Sequence, residues 1–129
     1  MKRTILGLAV VLAMATAASA QSVNTRDTSL GNVLTDENGM TLYIFDRDEV
    51  GASASACTGG CINAWPPFLA SEGAEAHDDW TLVDVEYQGA VQKMWAYQGL
   101  PLYYWMGDQN PGDTTGDGVG EVWHVVVVQ

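Results

Sequence analysis

Acidic side chains and small, flexible residues are concentrated between residues 108 and 121. Carboxylate and backbone carbonyl oxygens on a flexible chain are the ligands that a hard cation such as Ca²⁺ prefers. The candidate calcium-like ligands are the four carboxylates of this segment: Asp108, Asp113, Asp117 and Glu121. The segment contains no Lys or Arg, so it would repel a phosphate rather than cradle it. A cation site and a solvated acidic turn both fit this pattern.

Part of this acidic segment follows the opening spacing of an EF-hand loop, through Asp113, Thr115, Asp117 and Gly118. The position of the closing bidentate glutamate holds His124, and no helices are expected to flank the loop. The full motif therefore fails. No cofactor is predicted, with Ca²⁺ as the alternative.

Three other groups of side chains could bind a metal or act in catalysis. A second acidic group, partly neutralised by Arg47, comprises Asp46, Asp48 and Glu49. The imidazoles and thioethers that could hold a transition metal show no common spacing; they are His77, His124, Met40, Met94 and Met106. None of the candidate nucleophiles lies in a Gly-x-Ser-x-Gly elbow; they are Ser53, Ser55 and Ser71. No catalytic constellation emerges, and the chain is expected not to be an enzyme.

The two cysteines of the chain are Cys57 and Cys61. In an oxidising compartment such a pair indicates a disulfide, and the glycines between them give the short loop enough freedom to close. Three residues separate them, not the two of a Cys-x-x-Cys motif, and no His or Lys nearby would lower a thiol pKa. A local structural cross-link is predicted, with a redox or metal-binding pair as the alternative.

Aromatic side chains are numerous for so short a chain, which has five Trp and five Tyr. The sequence Trp65-Pro66-Pro67-Phe68 places an aromatic ring before a stiff, extended pair. The remaining tryptophans are Trp80, Trp95, Trp105 and Trp123. They could form a stacking platform for a sugar or peptide, but tryptophans in a small β domain more commonly form its core.

Short apolar segments alternate with turn signals such as Asn38-Gly39, Gln88-Gly89 and Gln98-Gly99. The predicted strands cover residues 40–45, 83–87, 91–97, 102–105 and 122–128. No segment has a convincing helical period. The sequence predicts an all-β fold: a small single domain of two related β-meander halves, sandwich or barrel-like, with little or no helix after residue 20.

Two segments of the chain repeat one pattern of turn, strand and acidic loop. The repeated residues are Tyr43, Phe45 and Asp48 in the first copy and Tyr103, Trp105 and Asp108 in the second. In each copy the two aromatic side chains share one face of the strand, and the Asp is expected to accept backbone N–H bonds that fix the following loop. The repeats cover about residues 38–68 and 98–126 of a domain at 38–129, preceded by an extension with a first strand at 21–37.

This Tyr-x-(Phe/Trp/Tyr)-x-x-Asp signature resembles that of a bacterial family of secreted repeats, also described as predicted lipoproteins of unknown function. The loop from Cys57 to Cys61, the following Trp65-Pro66-Pro67, and Gly99-Leu100-Pro101-Leu102-Tyr103 are similar to further elements of that family. The resemblance implies a cell-envelope protein of two repeats. It brings no established activity with it.

Residues 1–20 have the order of a secretory signal peptide, with a basic start, an apolar run and Ala-Ser-Ala before the cleavage point. Gln21 follows in place of the cysteine that a lipid anchor requires, so the mature protein is expected to be periplasmic or secreted, without a membrane span.

The chain has a net charge of −11, which excludes a basic nucleic-acid surface. The sequence therefore predicts a non-enzymatic binding module for an unidentified envelope or extracellular ligand. A metal- or redox-handling protein that uses the Cys pair or the acidic loops, and a purely structural envelope protein, are the alternatives.

Overall fold

The computed structural model describes residues 22–129, and the signal peptide predicted over residues 1–20 lies outside this part of the chain. Seven strands form three small antiparallel sheets. The strands are β1 (Val23–Thr28), β2 (Gly31–Asp36), β3 (Tyr43–Phe45), β4 (Trp80–Tyr87), β5 (Ala90–Tyr97), β6 (Leu100–Pro101) and β7 (Trp123–Val125). The helical elements in residues 22–129 are a short α-helix, α1 (Gly60–Ala64), and one 3₁₀ turn (Val119–Glu121). The predicted all-β fold is confirmed, and no closed barrel forms within the described residues.

The sheets pair β1 with β2, β3 with β7, and β4 with β5 and then β6. The polar segment Val23–Thr28 thus forms a hairpin with β2. The pairing of β3 with β7 joins the two ends of the domain, with Phe45 opposite Trp123. In residues 22–129, no helix is long and apolar enough to cross a membrane.

The segment predicted as a strand at residues 102–105 does not hydrogen-bond along a single neighbouring strand. The N–H of Leu102 donates to Trp95, that of Tyr103 to Tyr43, and that of Tyr104 to Pro66. The chain therefore passes between three partners, and ladder pairing in β6 ends at Pro101. The predicted strand at 122–128 is shortened for the same reason: after β7, its backbone pairs with β2 through Leu34.

Two buried clusters form the core. The first cluster contains three of the four signature aromatics and consists of Tyr43, Phe45, Cys57, Ile62, Trp65, Val83, Val85, Met94, Ala96, Tyr103 and Trp123. The second cluster consists of Leu34, Leu42, Phe68, Trp80, Trp95 and Leu102. In β5, Met94 and Ala96 reach the first cluster and Trp95 reaches the second, because successive side chains of a strand point to opposite faces.

Two equivalent hairpin turns provide a matched test of this packing. Gly89 and Gly99 both have positive φ, at 80° and 84°, and each follows a glutamine that also has positive φ. A Cβ on Gly99 would lie 2.7 Å from Val50 Cγ1 and 2.9 Å from the nitrogen of Gly51, whereas one on Gly89 would meet nothing within 4 Å.

Gly99→Ala is therefore expected to lower the free energy of unfolding by about 2–3 kcal/mol, since left-handed strain and overpacking add. Gly89→Ala is expected to cost only the backbone strain, about 1 kcal/mol. Urea unfolding followed by circular dichroism measures both. Equal losses would show that residues 50 and 51 do not pack against the turn at Gly99.

Candidate functional site

The signature tyrosines and aspartates pair across the two repeats. The hydroxyl of Tyr43 donates to Asp108 Oδ2 at 2.6 Å, and the hydroxyl of Tyr103 donates to Asp48 Oδ2 at 2.7 Å. The backbones of the two tyrosines also exchange N–H···O bonds, at 2.8 and 2.9 Å. All four side chains are buried. The two copies of the signature therefore complete one another.

The second oxygen of each signature aspartate fixes the loop that follows its strand. Asp48 Oδ1 accepts the N–H of Ala56 at 2.8 Å. Asp108 Oδ1 accepts the N–H of Thr115 at 3.0 Å and its hydroxyl at 2.6 Å. The predicted loop-fixing role of both aspartates is confirmed. Their pairing with the tyrosine of the other repeat was not predicted.

Burial raises the pKa of three of these four side chains. It raises the pKa of Tyr43, and the hydrogen bond to Asp108 raises it further. Burial likewise raises the pKa of Tyr103. The pKa of Asp48 is raised by burial, an effect opposed by the N–H of Ala56 and the hydroxyl of Tyr103. Both phenols are thus protonated donors at neutral pH.

The aromatic residues of the signature belong to a continuous stack of four rings. Trp105 packs on Trp65 with ring centroids 4.2 Å apart, Trp65 stacks on Trp123 at 3.7 Å, and Trp123 stacks on Phe45 at 4.2 Å. Tyr43 meets Trp65 edge-on at 5.4 Å, and the other signature tyrosine meets Trp123 edge-on at 5.2 Å.

A groove of about 510 Å³ is lined by none of the signature residues. Its wall includes two acidic residues, three aromatic residues and a proline: Asp36, Glu37, Phe68, Trp95, Tyr104 and Pro67. The hydroxyl of Tyr104 donates to Asp36 Oδ2 at 2.8 Å. Asp36 Oδ1 accepts the N–H groups of Asn38 and Met40, each at 2.9 Å.

The groove is acidic and aromatic. Burial raises the pKa of Tyr104, and the hydrogen bond to Asp36 and the charges of Asp36 and Glu37 add to the rise. The ring of Phe68 meets that of Tyr104 edge-on at 5.9 Å. Within residues 22–129, no Lys, Arg or His forms an ion pair with either carboxylate.

A family described as a secreted repeat of unknown function matches residues 24–68 and 88–127, more than half of the chain. The chain belongs to this secreted-repeat family. Each matched segment holds one copy of the Tyr-x-aromatic-x-x-Asp signature, so the family repeat corresponds to the two halves that exchange tyrosine–aspartate pairs. Comparison with curated proteins and with solved structures finds no match.

The carboxylates suggested as calcium ligands are not brought together in this secreted-repeat domain. Asp108 is engaged by the first repeat, as described above. Asp113 Oδ2 accepts the N–H groups of Gln109 and Asn110, each at 3.0 Å, and Asp117 Oδ1 accepts the N–H of Val125 at 3.0 Å. Glu121 is exposed on the 3₁₀ turn. Throughout residues 22–129, no three His, Cys, Asp or Glu side chains form a group that could hold a metal ion.

The second acidic group is also dispersed, because Asp48 is buried whereas Asp46 and Glu49 are exposed. Asp46 Oδ2 lies 2.8 Å from Nε2 of His124, on the strand that pairs with β3. His77 lies instead beside Asp78, with Nδ1 3.5 Å from its carboxylate. The two histidines are therefore engaged with different acids.

The sulfur atoms of Cys57 and Cys61 lie 2.12 Å apart, at disulfide distance, with the Cα atoms 5.3 Å apart. Helix α1 begins inside this loop, and the N–H of Trp65 donates to the carbonyl of Cys61 at its end. The cysteine loop thus places Trp65 in the middle of the ring stack. Of the three serines considered as nucleophiles, Ser55 hydrogen-bonds to the hydroxyl of Tyr103 at 2.6 Å, and the other two are exposed.

Four tryptophans belong to the core: Trp65, Trp80, Trp95 and Trp123. Trp105 is partly exposed. The groove could not be predicted because Asp36 and Tyr104 are far apart in sequence. The signal that was available is local: Asp36 stands two residues before the Asn38-Gly39 turn, the position at which an aspartate caps a turn.

Proposed function

We propose that the protein is a non-enzymatic binding module that acts in the periplasm or outside the cell. Its ligand is a small organic cation that carries an apolar body, and it occupies the groove beside Tyr104. The observation that carries this proposal is the placement of two carboxylates, Asp36 and Glu37, without a basic partner among residues 22–129, against an aromatic wall.

The chemistry of the groove supports this ligand class in two ways. Glu37 is exposed at its rim, where it can pair with an ammonium group, and Asp36 adds its negative charge from a buried position. Phe68, Trp95 and Tyr104 line the groove. The partly exposed ring of Tyr104 offers apolar contact, and aromatic faces also attract cations. A volume of about 510 Å³ falls in the range of small-molecule sites.

The overall charge of −11 supports the same class of ligand, because an acidic surface raises the local concentration of cations and repels anions. This effect weakens with salt over the Debye length, about 8–10 Å at physiological ionic strength. Binding is therefore expected to weaken as salt is added.

The test is calorimetric titration with phenethylamine, which joins an ammonium group to an aromatic ring, and with phenylacetate, an anion of similar shape. Only phenethylamine is expected to bind. Glu37→Gln is expected to weaken its binding by about threefold, the effect of a partly exposed ion pair. Glu49→Gln makes the same change at an exposed site outside the groove and serves as the control.

Nuclear magnetic resonance of the indole N–H groups places the bound probe, since Trp95 lines the groove and Trp123 does not. The Trp95 signal is expected to shift and the Trp123 signal to remain. Equal binding of phenethylamine and phenylacetate, or equal weakening by Glu37→Gln and Glu49→Gln, would overturn the proposal.

A further inference from the structure

The four-ring stack joins the surface of the protein to its two buried tyrosine–aspartate pairs. Trp105, at one end, is partly exposed, whereas Trp65, Trp123 and Phe45 are at most 7% exposed. Each signature tyrosine contacts the stack edge-on, Tyr43 at Trp65 and Tyr103 at Trp123. The groove has no part in this arrangement.

Tryptophan and tyrosine side chains lose an electron far more readily than phenylalanine does. Electron transfer is fastest between rings in contact, because electronic coupling falls steeply with distance. Three indoles in sequence, at 4.2 and 3.7 Å, therefore form a conducting path, and Phe45 ends it.

A tyrosine retains an oxidising equivalent only where its proton has an acceptor, since the oxidised phenol is a strong acid. Here each phenol already donates to a buried carboxylate, at 2.6 and 2.7 Å. Burial also raises the pKa of Asp48, which makes that carboxylate a better proton acceptor.

We propose that this stack carries one-electron oxidation from Trp105 at the surface to Tyr43 and Tyr103, where it is held as a neutral tyrosyl radical. The co-reactant is an outer-sphere one-electron oxidant, such as a high-potential metal complex. The protein thereby accepts an oxidising equivalent outside the cytoplasm and stores it away from solvent.

Each step of the transfer balances. The oxidant takes one electron from Trp105. Trp65 then donates one electron to the oxidised Trp105. Tyr43 then returns one electron to Trp65 and passes its hydroxyl proton to Asp108 Oδ2, so the products are a neutral tyrosyl radical, a protonated Asp108 and the reduced oxidant. Trp123, Tyr103 and Asp48 provide the equivalent branch. A one-electron reductant and return of the proton restore the starting state.

Three aromatic rings of the path lie close to Gly116. A Cβ on Gly116 would lie 2.9 Å from Trp105, from Trp65 and from Tyr43, so these three rings converge on one backbone position. The N–H of Gly116 also donates to the hydroxyl oxygen of Tyr43 at 3.2 Å. The partly exposed Trp105, the buried Trp65 and Tyr43 therefore lie side by side at Gly116.

The test is photo-oxidation of the intact protein by a ruthenium tris-bipyridine complex with persulfate, followed by freeze-quench electron paramagnetic resonance. The wild type is expected to give a tyrosyl signal that forms more slowly in D₂O, because the phenol proton moves with the electron. Trp105→Phe keeps an aromatic ring in a partly exposed position and is expected to reduce the tyrosyl yield several-fold. Trp80→Phe, in the second cluster, is the control and is expected to leave the yield unchanged.

The proton acceptor is tested in the same experiment with Asp108→Asn and Asp48→Asn combined, which is expected to replace the tyrosyl signal by a tryptophanyl one. Circular dichroism verifies that each variant is folded, and Trp105→Phe alone suffices if the double variant is not. The proposal is overturned if Trp105→Phe gives the wild-type yield, if Trp80→Phe reduces the yield as much, or if Tyr43→Phe with Tyr103→Phe leaves the tyrosyl signal intact.

Discussion

Asp108→Ala is expected to lower the free energy of unfolding by about 3–5 kcal/mol, because it leaves the buried hydroxyl of Tyr43 without an acceptor and removes two further bonds from the exposed Thr115. Three hydrogen bonds disappear, one from the hydroxyl of Tyr43 and two from Thr115. They connect Asp108 of the second repeat to Tyr43 of the first repeat and to Thr115 in the acidic loop. Chemical unfolding in urea, followed by circular dichroism, measures the loss.

The matched control is Asp113→Ala, which removes a carboxylate from the same loop. Asp113 accepts two N–H bonds at exposed positions, and its removal is expected to cost within about 1 kcal/mol because water can replace it. Adding Tyr43→Phe to Asp108→Ala removes the unpaired hydroxyl, so the double variant is expected to lose less than the sum of the two single losses. Equal losses for the two alanine variants would refute a role of the buried pair in joining the repeats.

The local elements of the fold could be predicted because their causes are local. The strict alternation of residues 83–87 and the Gln-Gly turns at 88–89 and 98–99 determine β4, β5 and β6, and both turns have the positive φ values that such hairpins require. The loop-fixing role of Asp48 and Asp108 was equally accessible, since an aspartate after a strand commonly accepts nearby N–H groups.

The pairing between repeats could not be predicted, because it joins residues that are distant in sequence. Tyr43 and Asp108 carry no local sign of their contact, and either tyrosine could have bonded the aspartate of its own repeat. The failure at residues 102–105 has the same origin: the pattern is that of a strand, but its successive N–H groups find partners in three different segments.

These pairs give the family signature a physical meaning. Both phenol hydroxyls and all four carboxylate oxygens of the signature are hydrogen-bonded inside the protein, and no buried side-chain N or O atom among residues 22–129 lacks a partner. The signature thus accounts for the fold of the repeats. The groove proposed as a ligand site is lined by residues outside the signature, such as Glu37.

Trp123→Ala is expected to destabilise the protein by about 3–5 kcal/mol, the cost of deleting a large buried aromatic side chain. Trp123 is 4% exposed and stands at the centre of the first cluster, stacked between Trp65 and Phe45 and in edge contact with Tyr103. Its strand also closes the domain, with Trp123 opposite Phe45. The loss therefore reaches both repeats.

Two further variants separate ring stacking from general loss of volume, again by urea unfolding. Trp123→Phe retains a ring between Trp65 and Phe45 and is expected to cost clearly less than Trp123→Ala. Trp105→Ala removes an equally large side chain from the partly exposed end of the stack, where it contacts Trp65 on one face, and is also expected to cost less, because less apolar area leaves the core. If Trp105→Ala destabilised the protein as much as Trp123→Ala, the centre of the stack would not be the point that holds the two repeats together.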